Sequence, residues 1–175
     1  MKSKYFFGGL FILLGIVWIS GITHFLITNV LPVQLQDPTA WAQQVYFRAS
    51  SLSTLFYLGF LFAWVTYSFN SRYKNSSDAR AKIIVWFSLF IASIVTNMVV
   101  LALCIQFTTV VVPGSQQIMG GGTFVNTPPY EFLMPLTTVN VLLLYWLPSC
   151  FLSLRTLRFV PPFSYEITSA LTGKR

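Results

Sequence analysis

The sequence predicts an all-α membrane protein, a bundle of four transmembrane helices with both chain ends on the inner side. Three observations carry that prediction. Of 175 residues, 55% are apolar and only 9% charged, whereas a water-soluble domain carries roughly 25% charge. Four stretches, at about residues 5–30, 50–69, 83–110 and 133–154, are long enough for a hydrocarbon core of about 30 Å, and none holds Asp, Glu, Lys or Arg. The basic residues fall almost entirely in alternate connections. Together these predict one membrane domain over residues 1–175, ending in a short cytoplasmic tail at 159–175.

The first span follows "MKSK", a basic start like that of a signal peptide. The apolar run is longer than a signal core and no Ala-x-Ala site follows it, so a retained anchor is expected. Ser20, His24 and Thr28 recur every fourth residue and are expected to share one helix face. His24, the one histidine of the chain, falls about 9 Å outside the midplane at helical rise.

Direction comes from the basic residues. Lys2 and Lys4 precede the first span; Arg72, Lys74, Arg80 and Lys82 lie in "SRYKNSSDARAK"; Arg155, Arg158, Lys174 and Arg175 follow the fourth span. Arg48 alone falls on the other side. The positive-inside bias makes the basic side cytoplasmic, and it explains the net charge of +7 without nucleic acid. One feature dissents: Asn75 of "NSS" is a glycosylation sequon on the inner side, outweighed here by the basic residues.

The first outer loop reads "PVQLQDPTAWAQQVYFR". Asp37 followed by Pro38 is a helix start. A short outer helix is expected there, lying at the interface or running into the second span. Trp41, Tyr46 and Phe47 suit the headgroup level. The second outer loop pairs β-branched "TTVVV" with "TFV" after three glycines as candidates for a small β-hairpin. Beyond the fourth span, "VPPF" stops the helix, and a short helix is expected from Ser164 to Gly173.

Helices in lipid associate by close packing and hydrogen bonds. Gly59 and Ala63 in the second span, and Ser88, Ala92 and Thr96 in the third, are the expected helix-packing ridges. Gly8, Gly15 and Gly21 thin the first span, and Pro148 is expected to kink the fourth.

The long polar side chains of the spans gather in the outer half or at mid-depth, and the inner half is mostly aliphatic and aromatic. His24, Asn29, Arg48, Asn97, Gln106 and Asn140 are the candidate ligand-binding residues. The first reading makes such groups struts that bond one another across helices, His24 among them. The alternative is an outward-facing polar pocket for a small molecule, lipid headgroup or quinone-like ring. No catalytic set is expected: a triad lacks members, and the acidic residues are scattered. No metal or cofactor is expected either, since His24 has no second ligand to join it. Cys104 and Cys150 lie roughly 20 Å apart along the membrane normal at helical rise, too far to pair.

The expected function is thus a non-catalytic structural or accessory subunit of a larger membrane complex, with ligand binding or transport as the alternative. Membrane lipid and other membrane subunits are the expected partners, and a bacterial inner membrane the expected location, with an organellar membrane as the alternative.

Overall fold

The computed structural model describes residues 2–30, 37–70, 76–111, 118–120, 130–153 and 160–172. It is mostly helical, and four helices are long and apolar enough to cross a membrane: α1 (Tyr5–Asn29), α2 (Pro38–Asn70), α3 (Asp78–Phe107) and α4 (Leu133–Leu152). A tail helix, α5 (Ser164–Thr172), follows.

The first outer helix and the second span are one element. Asp37 caps it: Oδ1 accepts from the backbone N–H of Thr39 at 3.1 Å and of Ala40 at 2.9 Å, with Pro38 in the first turn. The helix then continues without a break to Asn70. The second span therefore begins at Pro38 rather than near Ser50, and of the two expected placements of the outer helix it is the one running directly into the span that is found. Trp41 and Tyr46 are correspondingly buried within the bundle, and only Phe47 faces outward. The third span ends at Phe107 rather than 110, because Thr109 already belongs to a strand.

Two packed clusters show that successive helices run in opposite directions. One gathers Ile27 from the end of α1, Trp41 to Ala49 from the start of α2, Leu101 and Ile105 from the end of α3, and Leu133 from the start of α4. The other gathers Ile19, Tyr57, Trp64, Trp86 and Tyr145 along the rest of the bundle. At the far end, Phe7 of α1 packs against Phe151 of α4, with ring centroids 5.7 Å apart and the planes tilted. We call this the tail end, and the opposite one the hairpin end.

At the hairpin end, β1 (Thr109–Val111) pairs antiparallel with β2 (Ile118–Gly120), Val110 opposite Met119. The strand partner is thus "IMG" ahead of the last glycines. The expected "TFV" lies outside the described residues. Gln44 of α2 closes the other edge of β1: its Nε2 donates to the Val111 carbonyl at 3.0 Å and its Oε1 accepts from the Val111 N–H at 2.8 Å. A side-chain amide thereby does for β1 what a third strand would.

Helix α4 is the centre. Within its most apolar window 56% of residues are buried, against 22–28% in the other three. The outer faces carry Leu55, Phe62, Ile84 and Phe107, the apolar coat that a lipid-facing helix requires. Two glycines let α1 lie against α4. A Cβ on Gly8 would come within 2.7 Å of Leu152, and one on Gly15 within 2.6 Å of Leu144. Gly21 faces open space and thins nothing.

Within the described residues the expected small-residue ridges are open or only partly covered. Gly59 has nothing near its missing side chain, Ala63 and Ser88 are exposed, and Ala92 and Thr96 are half-buried. The α2–α3–α4 contacts are filled by large side chains with polar handles instead. Trp64 Nε1 donates to Ser153 Oγ at 2.8 Å, Trp86 Nε1 to Ser149 Oγ at 3.0 Å, and the Tyr145 hydroxyl to the Trp86 carbonyl at 3.1 Å. These bonds lie toward the tail end, so polar groups are not confined to the outer half.

Three π-helical turns interrupt the spans: Trp18–Thr23 in α1, Ala42–Tyr46 in α2 and Leu142–Trp146 in α4. The last comes directly before Pro148. Proline in a helix clashes with the carbonyl four residues back, and a widened turn ending at Trp146 gives the ring room without ending the span.

Candidate functional site

Each π-turn shifts the helix face by about one residue. In α1 the buried face is Ile19, Thr23 and Ile27, one position from Ser20, His24 and Thr28. Ser20 is exposed and bonds back to the Ile16 carbonyl at 2.8 Å. Thr28 donates to the His24 carbonyl at 3.0 Å. The His24 ring is half-buried, and among the described residues no hydrogen bond from it ties α1 to another helix.

The polar residues that meet inside the bundle form two adjoining groups. In the first, the Tyr57 hydroxyl of α2 donates to Asn97 Oδ1 of α3 at 2.6 Å. Asn97 Nδ2 in turn donates to Thr137 Oγ1 of α4 at 2.8 Å, and the Thr137 hydroxyl donates to the Leu133 carbonyl at 2.7 Å. Ser53, one turn from Tyr57 on α2, stands beside that hydroxyl. Among the described residues Tyr57, Asn97 and Thr137 each donate to an acceptor.

The second group is Thr23, Tyr46 and Asn140, from α1, α2 and α4. All three are essentially inaccessible. The Tyr46 hydroxyl stands between the Thr23 and Asn140 side chains, close enough to interact weakly with each. None of Thr23 Oγ1, Tyr46 Oη and Asn140 Oδ1 completes a well-formed hydrogen bond among the described residues. Thr23 and Tyr46 are each the last residue of a π-turn, and Asn140 lies just before the third. Such turns are rare and concentrate at functional sites. Thr137 and Asn140 are one turn apart on α4, so the two groups adjoin.

Of the six candidate residues, the structure brings Asn97 and Asn140 into this polar centre. The other four form no hydrogen bond with it among the described residues. Asn29 is exposed and satisfied by its own helix, donating to the Phe25 carbonyl at 3.0 Å and to Thr28 Oγ1 at 2.7 Å. Arg48 and Gln106 are exposed. Thr23, Tyr46, Tyr57 and Thr137 complete the centre and were not among the candidates. Thr23 carried a usable signal, since it stands between Ile19 and Ile27 at fourfold spacing.

Chemically the centre consists of neutral hydroxyls and amides. It can donate and accept hydrogen bonds, and it contains no group that ionises near neutral pH. Among the described residues no three His, Cys, Asp or Glu side chains come together. Comparison with family models, with curated proteins and with solved structures finds no match.

Proposed function

We propose that this is a non-catalytic integral membrane protein serving as a structural or accessory subunit of a larger membrane complex, with both chain ends on the cytoplasmic side. The orientation rests on the basic residues, which crowd the two ends and the α2–α3 connection. A bacterial-type inner membrane is the proposed setting.

One observation carries the subunit reading. Along its first half α1 packs on α4 but turns Tyr5, Phe6, Gly9, Leu10, Ile12 and Leu13 to an open apolar groove of about 410 Å³. Gly9 has nothing within 4 Å of its missing side chain. A notch over glycine, flanked by aromatic and branched side chains, is a seat for a neighbouring transmembrane helix. The polar residues of α2, α3 and α4 fit the same reading, because most of them serve as struts.

A photo-crosslinking residue at Phe6 or Leu13, with Phe62 as control, tests this in the native membrane. A discrete protein adduct from the α1 positions and none from Phe62 supports the subunit. Lipid adducts alone at all three positions, with a monomer after gentle extraction, count against it.

The Thr23–Tyr46–Asn140 group favours a second reading, binding of a small uncharged hydrogen-bonding molecule such as a lipid headgroup or a quinone-like ring. Polar atoms without good partners in hydrocarbon are costly, and a guest carbonyl or hydroxyl would supply them. Native mass spectrometry decides it. A retained small molecule that is lost in both Tyr46→Phe and Asn140→Leu supports binding, and retention in both variants rejects it.

A further inference from the structure

The chain beyond α4 folds back along the span it has just left. Trp146 Nε1 of α4 donates to the Pro162 carbonyl at 3.1 Å. Ser164 Oγ, at the start of α5, donates to the Cys150 carbonyl at 3.2 Å. Val160 is buried in the same cluster as Trp64, Trp86 and Tyr145. Helix α4 ends at Leu152. At helical rise Trp146 lies about 9 Å, and Cys150 about 3 Å, short of that end. Pro162 and Ser164 are tied at those two levels. The tail helix therefore starts alongside the apolar band of α4, not in the water beyond it.

The faces of α5 fit that position. Against the bundle it buries two hydroxyl residues, Ser164 and Thr168, and Thr168 satisfies its own hydroxyl on the Ser164 carbonyl at 2.7 Å. Outward it turns Tyr165 and Leu171, preceded by Phe163, the last of these 68% exposed. A helix facing water has the reverse pattern, apolar inward and polar outward. Phe163 also holds a φ of +58°, a left-handed conformation that is rare and strained for a bulky residue. Backbone bonds around it keep it there: Ser164 N–H to the Pro161 carbonyl at 3.1 Å and Ile167 N–H to the Phe163 carbonyl at 3.0 Å. The strain points a phenyl ring away from the protein.

We propose that the segment from Pro161 to Leu171 is an interfacial membrane anchor, which lies in the boundary between lipid headgroups and acyl chains and binds the bilayer through Phe163, Tyr165 and Leu171. A tyrosine suits this level because its ring is apolar and its hydroxyl can reach the headgroups. Glu166, also exposed, is long enough to turn its carboxylate toward the aqueous side. The connection before it carries Arg155 and Arg158, cations of the kind that anionic lipids attract. The short tail expected in the cytoplasm is by this reading part of the membrane-embedded body.

Spin-label accessibility in the full-length protein tests the anchor. With Cys104 and Cys150 both changed to Ala, single cysteines at Phe163, Leu171, Leu55 and Lys174 are nitroxide-labelled. The protein is placed in nanodiscs of 3:1 phosphatidylethanolamine and phosphatidylglycerol, a composition chosen to be anionic. Leu55, on the outer face of α2, calibrates the lipid interior and Lys174 the tail beyond α5. Labels at 163 and 171 should collide several-fold more often with oxygen than with a water-soluble nickel chelate. Nickel-dominated collisions at both sites would overturn the proposal, and so would low collision rates with both reagents, which indicate a protein cover.

A second variant separates the anchor from a merely folded turn. Phe163→Gly relieves the left-handed strain, so the fold is retained. The anchor predicts that nickel access at 171 rises at least twofold in this variant. Unchanged access at 171 would contradict it.

Discussion

The Tyr57 hydroxyl sits 2.6 Å from Asn97 Oδ1, and this short bond joins α2 to α3 in the middle of an apolar bundle. Asn97 passes the connection on to α4 through Thr137. Three spans are thus pinned by one amide. In hydrocarbon no water can replace a lost partner, so the pairing fixes both register and rotation of the helices.

Asn97→Ala should destabilise the bundle by about 1–2 kcal/mol, since it takes the acceptor from a buried phenol and removes the link to Thr137. The double variant Tyr57→Phe, Asn97→Ala should cost less than the sum of the single changes, because one orphaned donor is removed with its partner. Reversible unfolding in lipid nanodiscs, followed through a double-mutant cycle, measures both.

Glycines of α1 and α2 should respond in opposite ways to a methyl group. Gly15→Ala places a Cβ 2.6 Å from Leu144 and should cost about 1–3 kcal/mol through overpacking. Leu144→Ala should cost less in the Gly15→Ala background than alone, because the added methyl fills part of its cavity. Gly59→Ala meets open space and should be neutral, or stabilising by about 0.5–1 kcal/mol through helix propensity. Thermal unfolding in detergent ranks the three.

Gln44→Ala removes both bonds to Val111 and leaves the free edge of β1 without a partner. Amide exchange at Val111 should speed up about tenfold or more for the loss of a bond worth about 1.4 kcal/mol locally. The melting temperature of the helices should barely move. A fall in global stability without faster exchange would show that Gln44 acts in the helix contact, not on the hairpin.

The sequence is informative about the spans and nearly silent about their faces, for a physical reason. Length and charge depletion identify a membrane helix, and Asp37–Pro38 marks a start through its capping chemistry. Which side faces inward needs a polar stripe, and these helices are apolar all round. Fourfold spacing puts Ser20, His24 and Thr28 on one face and Ile19, Thr23 and Ile27 on the next, and the spacing alone does not say that the second is the buried one. The small residues misled in a different way. Gly59 and Ala63 can support close approach, but Tyr57, Trp64 and Trp86 make the contact because each brings a hydrogen bond with its ring. The centre around Tyr46 was missed since an aromatic near a span end reads as a headgroup residue, whereas α2 begins earlier and carries Tyr46 inside.

The claim beneath this account is that the chain crosses a membrane four times with both extremities inside. Labelling with a membrane-impermeant maleimide tests it most directly. Single cysteines replace Ser3, Asn75 and Ser115, one at a time, in intact cells after Cys104 and Cys150 are changed to Ala. The account predicts reaction at 115 without permeabilisation, and at 3 and 75 only after it. Labelling of residue 3 or 75 in sealed cells would contradict it.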